Sequence, residues 1–521
     1  MSRGNGEAVD TATQAVLYGF STILQVALQV ATMMIISRSL GPSNYGIYTL
    51  ALLPSSILSA ISDPGITSSM FRYVSTARAR GDECTAAYSY RFSLLILSAI
   101  NTILLALIAL YPRELGVLLA QREGLDALII ATAPYPLAST LYSAALAYYA
   151  GVEKAFLRSF LQLLAPLLRL ILVSTALLMG LSVQGVILAH VATYVVMALI
   201  CILLSIREVE IAGSCSPAFK PRDFLALSLS IYLIGLSGLL VYRVIGFLVA
   251  YTTRDLGLEG DLQVGNYNAA SALLGAVTSV LGSLAIPLTP LLAKRAGDQF
   301  RDTAVVLLDV LFALAVPLTA YAFFFADSLL YSVYGRSYTL APLFFRYMSI
   351  SMIAWPIQAV YGAIYWILED KKPLALYGLA ILSSGLLLAF PLSLVMRLQG
   401  IAVAQGLYPL VSSLVLAYYG SYKYKVNPSL RRVSMILAVS IALLMPIRYL
   451  TLSLQYYIAQ ALVGFTLYAI AFTVVGGLIG IISSIEVAML EALSRRIPVV
   501  GSILGILVWL YRKAADLTRR D

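Results

Sequence analysis

The sequence predicts an all-α integral membrane protein with two parallel six-helix repeats and two additional helices. Hydrophobic residues make up 60% of the 521 positions, charged residues make up 12%, and the mean hydropathy is +0.89. A soluble domain carries roughly twice that charged fraction. Apolar runs of about 20 residues recur along the chain, and this length allows a helix to cross a bilayer. Because the runs are too long for barrel strands, the spans are expected to be helices.

Fourteen spans are predicted, with the N- and C-termini in the cytoplasm of a multi-pass cell-membrane protein. This orientation places 25 of the 35 Lys and Arg residues inside, 8 outside and 2 within spans, which is the usual asymmetry of membrane proteins. The net charge of +10 therefore needs no nucleic-acid partner, because the basic residues are spread over loops that face anionic lipid. The spans cover residues 13–37, 45–70, 88–111, 126–150, 157–180, 184–206, 224–252, 265–293, 303–326, 342–368, 374–396, 401–420, 433–454 and 456–483.

The repeat is visible in five short matches that occur in the same order at an offset near 216 residues. Each repeated unit begins and ends inside, so the repeats are parallel and are related by an axis along the membrane normal. Parallel repeats usually form two lobes around a substrate path. The matches are Arg38-Ser39-Leu40-Gly41 with Arg254-Asp255-Leu256-Gly257, Gly46-Ile47-Tyr48 with Gly265-Asn266-Tyr267, Arg80-Gly81-Asp82 with Ala296-Gly297-Asp298, Glu153-Lys154 with Asp370-Lys371, and 185–190 with 400–405.

The predicted domains follow from the repeat. The N-lobe covers 1–206, a basic cytoplasmic linker covers 207–223, and the C-lobe covers 224–421. Spans thirteen and fourteen occupy 422–485, and the tail at 486–521 is expected to be cytoplasmic. The tail contains an apolar run that is too short for a comfortable span, so an amphipathic helix at the membrane interface is predicted there.

Enzyme chemistry is not expected. His190 is the only histidine, and Cys84, Cys201 and Cys215 lack metal-ligand spacing, which argues against a catalytic zinc, a histidine-centred triad or another cofactor. His190 is interpreted as a polar packing residue. The cysteines fall on the predicted cytoplasmic side, so no disulfide is expected. No loop is long enough for a soluble domain.

The first hundred residues resemble the polysaccharide-biosynthesis flippases of the multidrug/oligosaccharidyl-lipid/polysaccharide (MOP) exporter superfamily. The resemblance lies in residues 37–48, in Asp63-Pro64-Gly65-Ile66, in Arg72 and in the basic loop that ends Arg80-Gly81-Asp82. It implies a MATE-like V shape of two six-helix bundles around a central cavity. It also implies a flippase that moves a lipid-linked oligosaccharide or polysaccharide precursor across the cytoplasmic membrane by alternating access, for cell-surface glycan or glycoprotein biosynthesis. The expected partners are membrane lipid and a polyprenyl- or dolichyl-(pyro)phosphate-linked saccharide, and a monomer is expected.

Two arginines are predicted at membrane depth, where charge is costly and usually functional. Arg169 lies near the middle of span five, and Arg243 lies in the outer half of span seven. A guanidinium stays charged, and its planar fork suits phosphate oxygens, so both are predicted to hold a pyrophosphate. The alternative is that they pair with helix-end carbonyls or an acid, or extend to the interface.

Further site residues are predicted around these arginines. Gln25 and Gln29 belong to a polar stripe on span one, which also contains Tyr18, Thr22 and Thr32. Together with Gln162 and Tyr232 they are expected to face sugar hydroxyls, although Gln25 and Gln29 could instead join helices to each other.

Charged residues near the ends of spans give the remaining candidates. Arg72 and Arg91 are predicted at the cytoplasmic mouth, and Arg38 and Arg254 are predicted as gate residues at the outer mouth; all four could instead be interface anchors.

Two acids are candidates for coupling to H⁺ or Na⁺. Asp63, at a Pro-Gly break in span two, is the first candidate, although a local cap on that break is favoured over coupling. Asp309 is the second, and it could be only an arginine's partner.

Two other functions remain open. A MATE-like multidrug or cation antiporter would require acids and aromatic rings in its cavity and would usually manage with twelve spans. A membrane glycosyltransferase or polymerase would require a general base and a metal or phosphate site, commonly in a sizeable loop. The buried arginines and the two additional helices favour the flippase.

Overall fold

The protein is described by a computed structural model, which covers residues 2–206, 210, 219–285, 292–293, 297–481, 505 and 509–513. Side chains are described from Ser21 onward, except at positions 22, 23, 233, 234, 284, 285 and 298. These residues are almost entirely helical and contain no strand, so the predicted all-α class is confirmed. Most of the predicted linker and tail lies outside the described residues, as do the side chains of Tyr18 and Thr22.

The helices are numbered α1 to α17 in chain order. The first ten are α1 Ser2–Leu58, α2 Ile66–Ala79, α3 Glu83–Leu110, α4 Pro112–Leu115, α5 Asp126–Thr132, α6 Pro134–Gly151, α7 Ala155–Leu178, α8 Val183–Leu204, α9 Pro221–Thr252 and α10 Gly257–Ala285. The others are α11 Gly297–Phe324, α12 Ala326–Tyr334, α13 Ala341–Ser349, α14 Trp355–Ile367, α15 Lys371–Tyr424, α16 Leu430–Thr451 and α17 Tyr457–Ile479.

Ten helical segments in the described part of the chain are long and apolar enough to cross a membrane. Three of them contain a predicted loop: α1 has a kink at Gly41, α15 has one at Arg397, and α9 continues into α10 through a short turn at Arg254–Leu256. The predicted fourth span forms α5 and α6, which Pro134 separates. The number of fourteen spans stays a prediction.

The two halves of α15 fold back on each other. Asp370 immediately precedes the helix, and its carboxylate accepts hydrogen bonds from Lys423 at 2.6 Å and from the hydroxyl of Tyr424 at 2.8 Å, at the far end of the same helix. These bonds lower the pKa of Asp370. The reversal occurs at Arg397, where φ is 50°. The sequence predicts a loop at 397–400, but arginine rarely adopts this backbone conformation, so the position of the turn at Arg397 was not expected.

The glycines that end the two copies of the Arg-x-Leu-Gly repeat both have a positive φ. Gly41 has φ 70° and Gly257 has φ 54°, both in the region that only glycine adopts at little cost. Gly41 interrupts α1, and Gly257 begins α10 after the short turn. The repeated glycine therefore marks equivalent chain breaks.

The chain forms two compact units. The first contains Met1–Asn268 and Ala389–Ile401, and the second contains Ala269–Leu388 and Ala402–Asp521. The units follow spatial compactness and not the sequence repeat, so the predicted lobe boundaries stay a prediction.

Each unit has its own core of aliphatic and aromatic side chains. In the first unit Tyr90, Tyr149 and Phe224 are fully buried among α2, α3, α6 and α9. In the second unit the additional helices α16 and α17 contribute Ile436 and Tyr468 to the core. The additional helix pair is therefore an integral part of the second unit.

The start of α3 has a helix cap at Asp82 and a disulfide-bonded cysteine in its first turn. Asp82 accepts a hydrogen bond from the backbone N–H of Thr85 at 2.9 Å, which satisfies a free donor of the first turn. Cys84 is disulfide-bonded, whereas Cys201 has a free, buried thiol. The expectation that the chain contains no disulfide is therefore wrong.

Candidate functional site

The candidate site lies in the first unit and contains both predicted arginines. Arg169 on α7 donates a hydrogen bond from Nη2 to the hydroxyl of Tyr48 at 2.9 Å. Arg243 on α9 donates from Nη2 to Oγ of Ser59 at 3.0 Å. The Nε atoms of both arginines are buried without a hydrogen-bond partner among the described residues. Each guanidinium therefore retains an unsatisfied donor beside a neutral partner.

Neither arginine has a carboxylate partner in the described part of the chain. The groups that interact electrostatically with Arg169 include Tyr48, Tyr135 and His190, and those around Arg243 include Tyr242 and Tyr135. A half-buried guanidinium without a counter-charge is costly. The alternative in which an acid pairs with these arginines finds no support here, and a bound anion would supply the missing charge.

Tyr135 lies within electrostatic range of both arginines. Their hydrogen-bond partners are eleven residues apart in the chain: Tyr48 lies on α1, and Ser59 is the first residue after this helix ends. The two arginines are thus bonded to two positions of one chain segment, one on α1 and one directly after it.

A ring cluster lies next to Arg169. The ring centroid of Tyr135 lies 5.0 Å from that of His190 and 5.2 Å from that of Tyr194, and the last two are 5.4 Å apart. His190 is buried as expected, but its Nδ1 has no hydrogen-bond partner among the described residues, and Arg169 is its electrostatic neighbour.

Sequence reasoning missed Tyr135 and Tyr194, since they are two of 34 tyrosines. Two local signals could have identified them. Tyr135 follows the Pro134 break, and Tyr194 lies one helical turn after His190.

The predicted glutamines contact each other. Nε2 of Gln162 on α7 donates to Oε1 of Gln25 on α1 at 2.7 Å, so this pair joins two helices, as the alternative interpretation held. Gln29 lies one turn further along α1 and is half-buried. The role of Gln29 as a sugar contact stays a prediction.

Tyr232 and Asp63 both stabilise the break between α1 and α2. The hydroxyl of Tyr232 donates to the carbonyl oxygen of Ala60 at 3.0 Å. Oδ1 of Asp63 accepts from the backbone N–H of Thr67 at 3.2 Å, which is the capping geometry favoured from the sequence. A Cβ at Gly65 would lie 2.2 Å from the carbonyl oxygen of Ser228, so α9 passes very close to the break.

Asp309, the other predicted acid, belongs to the second unit. It accepts hydrogen bonds from Nη1 of Arg432 at 3.2 Å and from the backbone N–H of Ser429 at 3.4 Å. This geometry makes Asp309 the partner of an arginine, as one of the two interpretations held.

The four arginines predicted at the mouths are exposed. Arg72 and Arg91 lie at the predicted cytoplasmic end, and Arg38 lies beside Gly41 at the other end. Arg254 stacks over the ring of Tyr251 at 4.0 Å. Their roles at the cytoplasmic mouth and at the outer gate stay predictions.

The close contact at the predicted outer end is made by the repeat glycines. A Cβ at Gly46 on α1 would lie 1.9 Å from the carbonyl oxygen of Asp261 on α10, and a Cβ at Gly265 would lie 1.9 Å from that of Pro42. Gly46 and Gly265 are equivalent in the two repeats. The two helices therefore cross backbone against backbone at a reciprocal position, which any side chain larger than hydrogen would obstruct.

A largely buried ion pair stabilises the same crossing. Nε of Arg122 lies 2.9 Å from Oδ1 of Asp261, and the two side chains are 11% and 13% exposed. Nη2 of Arg122 also donates to the carbonyl oxygen of Thr253 at 2.9 Å. Sequence reasoning counted Arg122 only as an outer basic residue, because its partner lies 139 positions away.

Breaking this pair is expected to destabilise the protein. Arg122→Ala and Asp261→Ala should each cost about 3–5 kcal/mol, since each leaves one charge largely buried without a partner, whereas the double variant should cost less than the sum. Thermal unfolding of the purified protein measures this. Arg113→Ala removes an exposed arginine at the same end and serves as the control. Single variants that are as stable as this control would contradict a structural role for the pair.

Comparison with solved structures finds the same fold in transporters. The lipid II flippase MurJ in an inward closed conformation is 14% identical, with a TM-score of 0.64, and the match covers 89% of this chain and 98% of MurJ. An inward-facing multidrug resistance transporter of the MATE family is 14% identical, with a TM-score of 0.61 and coverage of 80% and 96%. A MOP-superfamily transporter from Pyrococcus furiosus, whose binding pocket has a reversed polarity that suggests a different function, is 14% identical, with a TM-score of 0.58 and coverage of 82% and 96%.

A family model for polysaccharide biosynthesis proteins matches residues 13–296, which is more than half of the chain. Comparison with curated proteins finds no significant match. The resemblance inferred from the sequence, the MATE-like helical fold and the expectation that the chain is not an enzyme are confirmed. The chain belongs to the polysaccharide biosynthesis protein family and has the fold of the MOP-superfamily transporters.

Proposed function

We propose that this protein is a flippase that moves a lipid-linked saccharide precursor across the cell membrane by alternating access. The observation that carries the proposal is the pair Arg169 and Arg243, two half-buried guanidinium groups without a carboxylate partner in the described chain. Family membership and the MurJ-like fold support the same conclusion.

The phosphate of the carrier lipid is the group that these arginines would bind. Phosphate oxygens accept hydrogen bonds from the Nε and Nη atoms of one guanidinium in a bidentate geometry. The Nε atoms of Arg169 and Arg243 have no other acceptor among the described residues, so a phosphate would satisfy them. Tyr135 and Gln29 would then contact sugar hydroxyls, and the hydrocarbon tail would stay in lipid. The carrier is a polyprenyl or dolichyl (pyro)phosphate, the protein acts as a monomer, and both termini are cytoplasmic.

Among the described acids, Asp63 is the candidate for coupling transport to an ion gradient. Asp309 is occupied by Arg432, whereas Asp63 makes only a backbone capping bond of 3.2 Å. H⁺ and Na⁺ are the candidate ions.

A cation antiporter is the competing function, because MATE transporters share the fold. The polarity of the site argues against it. An organic cation would meet Arg169 and Arg243 across a medium of low dielectric constant, where repulsion between like charges is large. A glycosyltransferase is disfavoured by the transporter fold.

Transport in proteoliposomes distinguishes the two functions. The purified protein should move a fluorescent polyprenyl-pyrophosphate saccharide, and it should not export cationic dyes under a proton or sodium gradient. Arg243→Gln should slow translocation by about tenfold or more, because it removes a charge-assisted hydrogen bond. Arg113→Gln, at an exposed position, is the matched control. Dye export that Asp63→Asn abolishes, without movement of the lipid, would establish the antiporter instead.

A further inference from the structure

A second cluster of arginines lies in the second unit, at the end of the helices where α12 and the segment 452–456 lie. Arg346 and Asp327 form an ion pair, and Nη2 of Arg448 lies 3.6 Å from the same carboxylate oxygen. Nη1 of Arg448 donates to Oγ of Ser328 at 2.7 Å and to Oε1 of Gln460 at 3.2 Å. Arg448 is 17% exposed, so this charge is mostly removed from water.

Two cavities meet at Arg448. The first has a volume of about 410 Å³ and is lined by Arg346 and by the apolar rings of Phe323 and Phe324. The second has a volume of about 450 Å³, and its lining includes Arg336, Tyr331 and Asp327. Arg448 therefore lines both cavities, of which the first is the richer in apolar side chains and the second in polar ones.

The charge of this cluster is unbalanced. Three arginines, Arg336, Arg346 and Arg448, and one carboxylate, that of Asp327, line the two cavities, which leaves a net charge of +2 on the lining residues. Asp327 is bonded to Arg346, and the hydrogen bonds of Arg448 go to neutral side chains. Arg336 stacks over the ring of Tyr457 at 4.9 Å and keeps its charge at the polar cavity. An anion in the polar cavity would offset this excess.

We propose that these paired cavities bind the phosphate of a membrane lipid at the outer surface, with the head group in the polar cavity and the start of its chain against Phe323 and Phe324. The positive-inside asymmetry places this end of the helices outside. Guanidinium groups bind phosphate diesters through charge-assisted hydrogen bonds, and the apolar compartment would accept hydrocarbon. The site belongs to a different unit from Arg169 and Arg243, and it does not depend on the proposed transport function.

Lipid binding to the full-length protein tests the site. Native mass spectrometry in detergent would compare dioctanoyl phosphatidylglycerol, dioctanoylglycerol and inorganic phosphate. We expect the phosphatidylglycerol to bind best, Arg336→Ala to weaken its binding by about tenfold, and Asp327→Asn to strengthen it, because a repulsive carboxylate is removed. Arg336 is exposed, so its replacement should not impair folding, and Arg113→Ala controls for the loss of one outer arginine.

Each other outcome would contradict the proposal. Equal binding of dioctanoylglycerol would mean that charge is not recognised, and equal binding of inorganic phosphate would mean that the lipid chain is not. If the cluster only stabilised the fold, Asp327→Asn would lower the melting temperature and leave lipid binding unchanged. The effects of Arg336→Ala and Asp327→Asn on lipid binding should persist in an Arg169→Gln background. Failure of this site and failure of the proposed transport function are therefore distinguishable.

Discussion

Replacing Arg169 by glutamine is expected to reduce translocation of a lipid-linked saccharide by about a hundredfold while the protein remains folded. The side chain is half-buried, its Nε has no partner among the described residues, and its bond to Tyr48 is made to a neutral hydroxyl. In the absence of substrate this charge is a cost to the fold, so its removal should not destabilise the protein. With substrate bound, the loss of two charge-assisted hydrogen bonds of about 1.5 kcal/mol each corresponds to that factor.

Two further variants separate charge from geometry at this position. Arg169→Lys keeps the charge but loses the planar fork, so we expect an intermediate rate. Tyr48→Phe keeps the arginine and removes only its hydrogen-bond partner, so we expect a loss of less than about tenfold.

Initial rates in proteoliposomes provide the measurement, and the melting temperature of each variant reports folding. An Arg169→Gln protein that transports at the wild-type rate would refute the phosphate assignment. A variant that is inactive because it has unfolded would show a lowered melting temperature, whereas the proposal expects it unchanged or raised.

The membrane fold was predictable because its causes are local. Hydropathy identifies spans one at a time, and Arg169 and Arg243 stand out as charges within apolar runs. Gly41 was recognisable as part of a repeat, and it lies at a positive φ that glycine permits. Arg397 adopts a positive φ as well, yet nothing in its neighbourhood predicts it.

The parts of the site that could not be predicted depend on contacts between distant positions. Arg122 acquires its role from Asp261, and Arg169 acquires its surroundings from tyrosines on three other helices. Periodicity specifies which face of a helix is polar, but it does not specify which helix lies opposite. The pairing of Gln162 with Gln25 shows the same limit, since each was selected as a sugar contact on its own helix.

The repeat acquires a physical meaning from the crossing of α1 and α10. Gly46 and Gly265 each contact the backbone of the other helix, and Asn268 donates to Thr49 at 3.1 Å one turn further along. Two helices can approach this closely only where both lack a side chain. Since both glycines come from the same position of the repeat, duplication supplied both halves of one contact.

Gly46→Ala and Gly265→Ala are therefore each expected to open this crossing and to impair transport. The added Cβ would lie 1.9 Å from a carbonyl oxygen, whereas ordinary contact begins near 3.4 Å, so the backbones must separate by about 1.5 Å. Overpacking of this kind costs about 1–3 kcal/mol. If the crossing closes the outer end in one state of the transport cycle, that state is destabilised by the same free energy, and its population falls accordingly.

Labelling of a single cysteine measures the opening. In a cysteine-free background that carries Thr49→Cys, a membrane-impermeant maleimide applied from outside should react slowly, and addition of Gly46→Ala or Gly265→Ala should accelerate the reaction to a similar extent. Gly275→Ala provides the matched control, since it lies on the same helix α10 and its Cβ would have no neighbour within 4 Å. The double variant should exceed either single variant only slightly, because one separation of the helices relieves both clashes. If both single variants label at the rate of Gly275→Ala, the reciprocal glycine contact does not close this end, and the repeat is a remnant of duplication without a role in gating.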